Sequence, residues 1–242
     1  MSNKVEIAPQ IGGTSMKIWK RFLALGLVTI ITAMMFVGCG SSDISEGVAK
    51  NDYPITINGV TLNSQPTGVA VLSQNIADVI LTGGFEATLK AKSEDCTQED
   101  LSILPNLTID DVQEMKNLGV TLVLVDAAPT EQQTAALEAQ GIQVLAISPA
   151  KSRDDCKRLY REVGSAMVGG NTGYTKGEKA CDNVFYTLDD ITRLVPSTGT
   201  QYTACYLYDL EGHVATGNSL FGSLISYAGF FNSFGNELNN QI

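Results

Sequence analysis

Hydrophobic and polar positions along this chain fall into blocks of two different periods. Over residues 55–62, two short β-rich runs flank Asn58-Gly59, a pair that two-residue hairpin turns favour, so a hairpin is expected there. After Pro66 the pattern alternates between strand-like and helix-like stretches. A short apolar run at 69–72 predicts a strand, Ser73-Gln74-Asn75 turns the chain, and the stretch to about Gly83 predicts a helix. A second strand is expected over 87–92, followed by a long loop over 93–108 that carries Cys96 and Pro105. Helix 109–118, strand 121–125, helix 131–140 and strand 142–147 come next, with Pro129 ahead of the second helix and Gly141 as its stop. Leu122-Val123-Leu124-Val125 is apolar at every position, as in a strand buried on both faces. Strands and helices alternating at this spacing imply right-handed crossovers and a parallel sheet covered on both sides.

Beyond residue 150 the blocks lengthen. Residues 153–167 predict one helix, Gly169-Gly170-Asn171 a break, and 174–194 a second helix of roughly 30 Å. After Pro196-Ser197-Thr198-Gly199 a strand over 202–208 and a helix over 219–230 are expected. The expected fold class is α/β: a parallel-sheet N-terminal lobe over 52–150, a long spanning helix within 151–198, and a partial second α/β lobe over 199–242. About 97 residues serve the first lobe and about 44 remain for the second. One strand and one helix cannot cover both faces of a sheet, so the second lobe is expected to be incomplete.

The N-terminal pattern is of another kind. Lys17, Lys20 and Arg21 precede an uncharged apolar run over 22–37, and then come Gly38-Cys39. That order reads as a secretory signal over 16–38, its run shorter than the ~20 residues of a spanning helix. Residues 1–15 then read as an upstream extension ahead of Met16. A small residue before the cysteine, with Gly40-Ser41-Ser42 after it, resembles the bacterial lipobox, which implies a lipid on Cys39 and a tether over 39–51. An uncleaved membrane anchor is the alternative. Either reading places the chain outside the cytoplasm, lipid-anchored to the cell membrane in the first case.

Charge narrows the partners. The chain has 16 basic and 26 acidic residues, of which Lys4, Lys17, Lys20, Arg21 and Glu6 lie in 1–39, so 12 and 25 remain and the net charge is near −13. Such a surface repels phosphate backbones and excludes nucleic acid as a natural partner. With Cys39 assigned to lipid, Cys96, Cys156, Cys181 and Cys205 remain without CxxC spacing, which suggests neither a zinc site nor a thioredoxin-like motif. Their disulfide pairing is left open.

Several segments together resemble the substrate-binding lipoproteins of ABC importers for ferric siderophores, haem and vitamin B12, the helical-hinge type of periplasmic binding protein. Residues 69–81 resemble the first strand and helix, 92–97 a loop found in one branch, Leu122–Asp126 and Gly141–Leu145 the later part of that lobe, and 217–225 with Ala228, Gly229 and Asn232 the start of the second. The resemblance covers about 69–232 and implies two lobes, a stiff helix between them, a ligand in the cleft and an ABC permease as partner. Independently, open α/β sheets bind ligands outside the carboxyl ends of their strands. That rule selects Ser73, Gln74, Asn75, Lys92, Ser93, Asp126 and Ser148, and from the second lobe Glu211, His213, Thr216 and Asn218. Serine, asparagine and aspartate favour caps and turns at such positions in any case. The resemblance also implies a docking carboxylate on the helix before strand 121–125, where Gln113 occupies the matching position and Asp110, Asp111 and Glu114 are near enough to substitute.

Catalytic constellations are not found. His213 is the single histidine, Gly217-Asn218-Ser219-Leu220-Phe221 lacks the second glycine of a nucleophile elbow, and neither a P-loop nor GxGxxG occurs. His213 could ligate haem or cobalt, but no methionine, tyrosine or second histidine in a matching loop completes a pair. No resident cofactor or metal is expected. The leading expectation is a membrane-tethered solute-binding protein that captures an iron complex, haem or corrinoid without covalent chemistry. The alternative is a truncated or degenerate homologue serving as a surface interaction or sensor module.

Overall fold

The computed structural model describes residues 52–195 and 202–237. The expected signal, Cys39 and the tether lie outside them. The architecture is mixed α/β, with a parallel sheet and long helices, as the pattern predicts. Strands β1 (Ile55–Ile57) and β2 (Val60–Leu62) form the hairpin across Asn58-Gly59. Strands β3 (Val69–Val71), β4 (Leu89–Lys92), β5 (Leu122–Val125) and β6 (Gln143–Ala146) form a parallel sheet in the order β4-β3-β5-β6.

Strand alternation sorts the core into two layers. Val69, Val71, Leu122 and Leu124 point to one face and pack with Ile76 and Ile80 of helix α1 (Gln74–Gly83). Ala70, Val123 and Val125 point to the other, against Met115 of α2 (Val112–Asn117) and Leu137 of α3 (Glu131–Glu138). Both layers are sealed: Val69, Ala70, Val71, Val123 and Leu124 expose none of their surface. α2 is shorter than expected because Asp111 folds back on Thr108 and uses up that turn. β4 loses its first residues to a 3-10 turn at Glu86–Thr88.

The first face is closed by helices α4 (Arg153–Val168) and α5 (Gly170–Leu194), which fold back on each other. The expected three-residue break contracts to Gly169 alone, and α5 starts four residues early. The reason lies far away in sequence: the buried Asp52 carboxylate accepts from Asn171 N at 2.9 Å and Thr172 N at 3.4 Å, while Asp52 O accepts from Gly170 N at 2.8 Å. A capped first turn is thereby held in helix. The two helices touch backbone to backbone where Gly164 meets Gly173 and Gly177 meets Tyr160; a Cβ at any of these glycines would run into the facing chain. One helical turn further along the same antiparallel seam, Cys156 and Cys181 fall opposite each other, both buried. Lys157–Glu178 at 2.9 Å and Arg161–Glu178 at 2.6 Å flank the seam.

The C-terminal described segment departs most from expectation. Instead of one strand over 202–208, a two-residue strand β7 (Thr203–Ala204) pairs in parallel with β8 (Phe231–Asn232), which the pattern had included in no strand. Leu207 then bridges Val214 in a separate antiparallel turn, Tyr208 N donating to His213 O. Helix α6 (Leu220–Tyr227) lies between β7 and β8 in sequence and is fixed to α5 by Tyr227 Oη donating to Asp189 Oδ1 at 2.7 Å. Asp189 also holds Arg153 at 2.6 Å, whose guanidinium stacks over the Phe185 and Tyr227 rings.

Candidate functional site

The carboxyl ends of β3, β4 and β5 open onto a trough built from two adjoining cavities of about 540 and 440 Å³. They share Leu72, Glu94, Asp95 and Asp126. Each strand delivers its side chains as it leaves the sheet: Ser73, Gln74 and Asn75 from β3, Ser93 to Asp95 from β4, Asp126 and Ala127 from β5. Leu107, Ile109, Val125 and Pro129 give the second cavity an apolar wall. A smaller pocket of about 240 Å³ sits at the opposite edge, around Thr121, Leu122 and Gln143.

Ser73 is a cap and a positioning group at once. Its Oγ accepts from Ile76 N at 3.4 Å, closing the first turn of α1, and donates to Asp126 Oδ2 at 3.0 Å. The hydroxyl therefore holds one oxygen of the β5 carboxylate in the trough while the helix starts beside it. Gln74 and Asn75 are exposed, with side-chain amides that can both donate and accept.

The other expected residues are placed less alike. Lys92 lines neither cavity: its buried side chain donates from Nζ to Asn106 Oδ1 at 2.7 Å and to Ser93 O at 3.3 Å, pinning the long loop to β4. Ser148 is exposed beyond β6, outside both linings, and its carbonyl accepts from Arg158. In the C-terminal segment Thr216 is fully buried, its carbonyl accepting from Ser219 N and Oγ at the start of α6. Asn218 and Glu211 are exposed. His213 Nδ1 meets Asp209 Oδ2 at 2.5 Å, and Asp209 Oδ1 accepts from Glu211 N and His213 N. Burial works against the Asp209 carboxylate, but these donors bring it below the usual carboxylate range. Asp209, Glu211 and His213 place ligating atoms within 4.8 Å of one another on an exposed turn. Nearby, Tyr206 and Phe221 stack at 4.3 Å with Tyr208 edge-on.

Pattern reasoning missed Glu94, Asp95, Thr97, Thr108 and Gln133. The first two follow Ser93 directly, so a longer reach beyond the strand end would have found them. Thr108 and Gln133 come from elements far along the chain and give no local signal. The expected docking residues Asp110, Asp111, Gln113 and Glu114 are all exposed around α2. Asp111 Oδ2 accepts from Thr108 N and Oγ1, both at 2.7 Å, and these bonds hold its carboxyl below the usual range. Asp110 accepts from Gln133 Nε2 at 3.0 Å.

No protein-family model matches the chain, and no curated protein matches it. Solved structures do. The periplasmic haem-binding protein of Vibrio cholerae superposes with a TM-score of 0.59 at 15% identity, covering 73% of this chain and 69% of that one. A possible iron-binding, periplasmic solute-binding protein of Staphylococcus epidermidis gives 0.57 at 14%, covering 73% and 70%. The periplasmic vitamin B12-binding protein of Vibrio cholerae gives 0.54 at 16%, covering 73% and 70%. The chain has the fold of the periplasmic solute-binding proteins. In this solute-binding fold the trough at the strand ends is where the general rule for open α/β sheets puts a ligand.

Proposed function

We propose that the chain is the solute-binding component of an ABC importer, tethered to the membrane by lipid on Cys39, and that it captures an iron complex, haem or corrinoid. The observation that carries this reading is the trough at the carboxyl ends of β3, β4 and β5, in a chain of solute-binding fold. Ser73, Gln74, Asn75, Ser93 and Asp126 would contact the ligand, and Glu211, His213 and Asn218 would belong to the opposite rim. Binding needs no covalent step: the trough offers hydrogen-bonding groups beside an apolar wall, the usual composition of a small-molecule site. Helices α4 and α5, which fall within the segment 151–198, would serve as the stiff connection between the segments 52–150 and 199–242. The exposed acids around α2, Asp110, Asp111 and Glu114, with Gln113, would face the permease.

The test is a calorimetric titration of the purified chain with ferric siderophores, haem and cyanocobalamin. Binding of at least one without turnover is the expected result, and silence across the whole panel overturns the reading. Labelled fatty acid should enter the wild-type protein in cells and be lost on Cys39→Ala; failure of wild-type labelling removes the lipid tether.

A further inference from the structure

We infer that the trough selects its ligand by charge, admitting a cationic or uncharged metal chelate and rejecting an anionic one; this deepens the solute-binding reading and rests on it. Three carboxylates line the two cavities: Glu94 and Asp95, exposed after β4, and Asp126 at the end of β5. Among the described residues no lysine or arginine lines either one. Two cations at neighbouring strand ends are committed elsewhere. Lys92 is turned inward onto Asn106, and Arg158 pairs with Glu162 at 3.1 Å while donating to Ser148 O. Within the described C-terminal segment, 202–237, there is no lysine or arginine, whereas Asp209, Glu211 and Glu237 are present.

A propionate, citrate or catecholate chelate would thus meet three carboxylates and, among the described lining residues, no lysine or arginine. Glu94, Asp95 and Asp126 would repel it, most strongly at low ionic strength, where exposed charges are least screened. Charge of this kind discriminates between ligands even where it adds little to affinity for the right one. The neutral lining fits the opposite class, because the amides of Gln74 and Asn75 and the second Nε2 proton of Gln133 can donate to amide or hydroxamate oxygens while an ammonium or the net charge of the complex meets the carboxylates.

The test is a matched series on one ferric tris-hydroxamate core, titrated into the full chain in detergent at low salt. Ferrioxamine B (net positive), its N-acetyl derivative (neutral) and its N-succinyl derivative (negative) keep one ferric core and step its charge through a short acyl tail. Cyanocobalamin joins the uncharged arm and haemin the anionic arm. The expected result is binding in the cationic or uncharged arm, with affinity falling about ten-fold for each unit of negative charge added to a binding core. Glu94→Gln with Asp95→Asn, and separately Asp126→Asn, which keeps an acceptor for Ser73, should flatten that difference, as should roughly 0.5 M salt, which shortens the screening length well below about 8 Å. An anionic probe binding as well as or better than the uncharged ones, or a charge order that these variants leave untouched, overturns the inference but leaves the solute-binding reading standing. Silence in every arm overturns both.

Discussion

Individual side chains in this protein carry their roles through burial as much as through chemistry. Cys156 is buried on α4 where that helix meets α5, and burial first, then the neighbouring Cys181 and Asp155, push its thiol up from 9.0 to about 11. Cys205 is exposed. Since the thiolate is the reactive form, iodoacetamide at neutral pH should label the reduced, folded protein at Cys205 and spare Cys156 until denaturant is added. Rapid labelling of Cys156 in the folded chain would contradict its placement. The same shift has a sign for stability. The folded thiol titrates above the unfolded one, so its contribution is complete below about pH 9 and is lost as pH rises from about 9 to about 11. Cys156→Ala should reduce that alkaline loss, measured by denaturant titration across the range. Asp52 is 1% exposed, and its carboxylate accepts from the first N–H groups of α5, so Asp52→Ala should cost about 0.5–2 kcal/mol, read from the denaturation midpoint.

Between elements, the close packing of α4 on α5 decides more than helix propensity does. Taken alone, Gly173→Ala in a helix should stabilise by about 1 kcal/mol. Here the added methyl meets the backbone of Gly164 and Ser165, and an overpacked contact costs about 1–3 kcal/mol or more. The net change is expected to be destabilising, and a rise in the melting temperature would mean that the helices are not in backbone contact. The same seam sets Cys156 opposite Cys181. In a Cys96→Ser, Cys205→Ser background, copper-phenanthroline and oxygen should join them, lowering the mass by two hydrogens within one chain. Two free thiols after that treatment would show the register to be different.

Across the molecule, stability should be uneven. The strands β3, β5 and β6 share a sheet with helices on both faces, and Val69, Leu124 and Leu145 expose nothing. The segment 202–237 has two-residue strands and leaves Tyr202, Tyr206, Leu207, Tyr208, Leu210, Phe221 and Phe231 exposed. Amide exchange should therefore be slowest in 69–71, 122–125 and 143–146 and fast across 202–237. Equal protection in both, in a monomer, would contradict this division. Ligand binding in the trough would be expected to add protection first at the strand ends around 73–75, 93–97 and 126–127.

The sheet was legible in the sequence because β3 and β5 are short and wholly apolar and turn residues at 73–75, 129 and 141 punctuate the chain. Period and burial agree there, and the ends of β3, β4 and β5 mark the trough, which is how Ser73, Gln74, Asn75, Ser93 and Asp126 could be selected, whereas Ser148 beyond β6 falls outside it. Lys92 illustrates the limit of that reasoning. It stands at a strand end, yet alternation and the Asn106 loop turn its ammonium inward, and no local pattern encodes the position of residue 106. The early start of α5 and the β7–β8 pairing depend likewise on residues brought together from more than twenty positions apart, and the seam of glycines on two helices meeting across a turn. Local periodicity records which face of an element is apolar; only the folded chain decides which distant backbone and side-chain groups meet that face, and thereby which polar groups are left to line the trough.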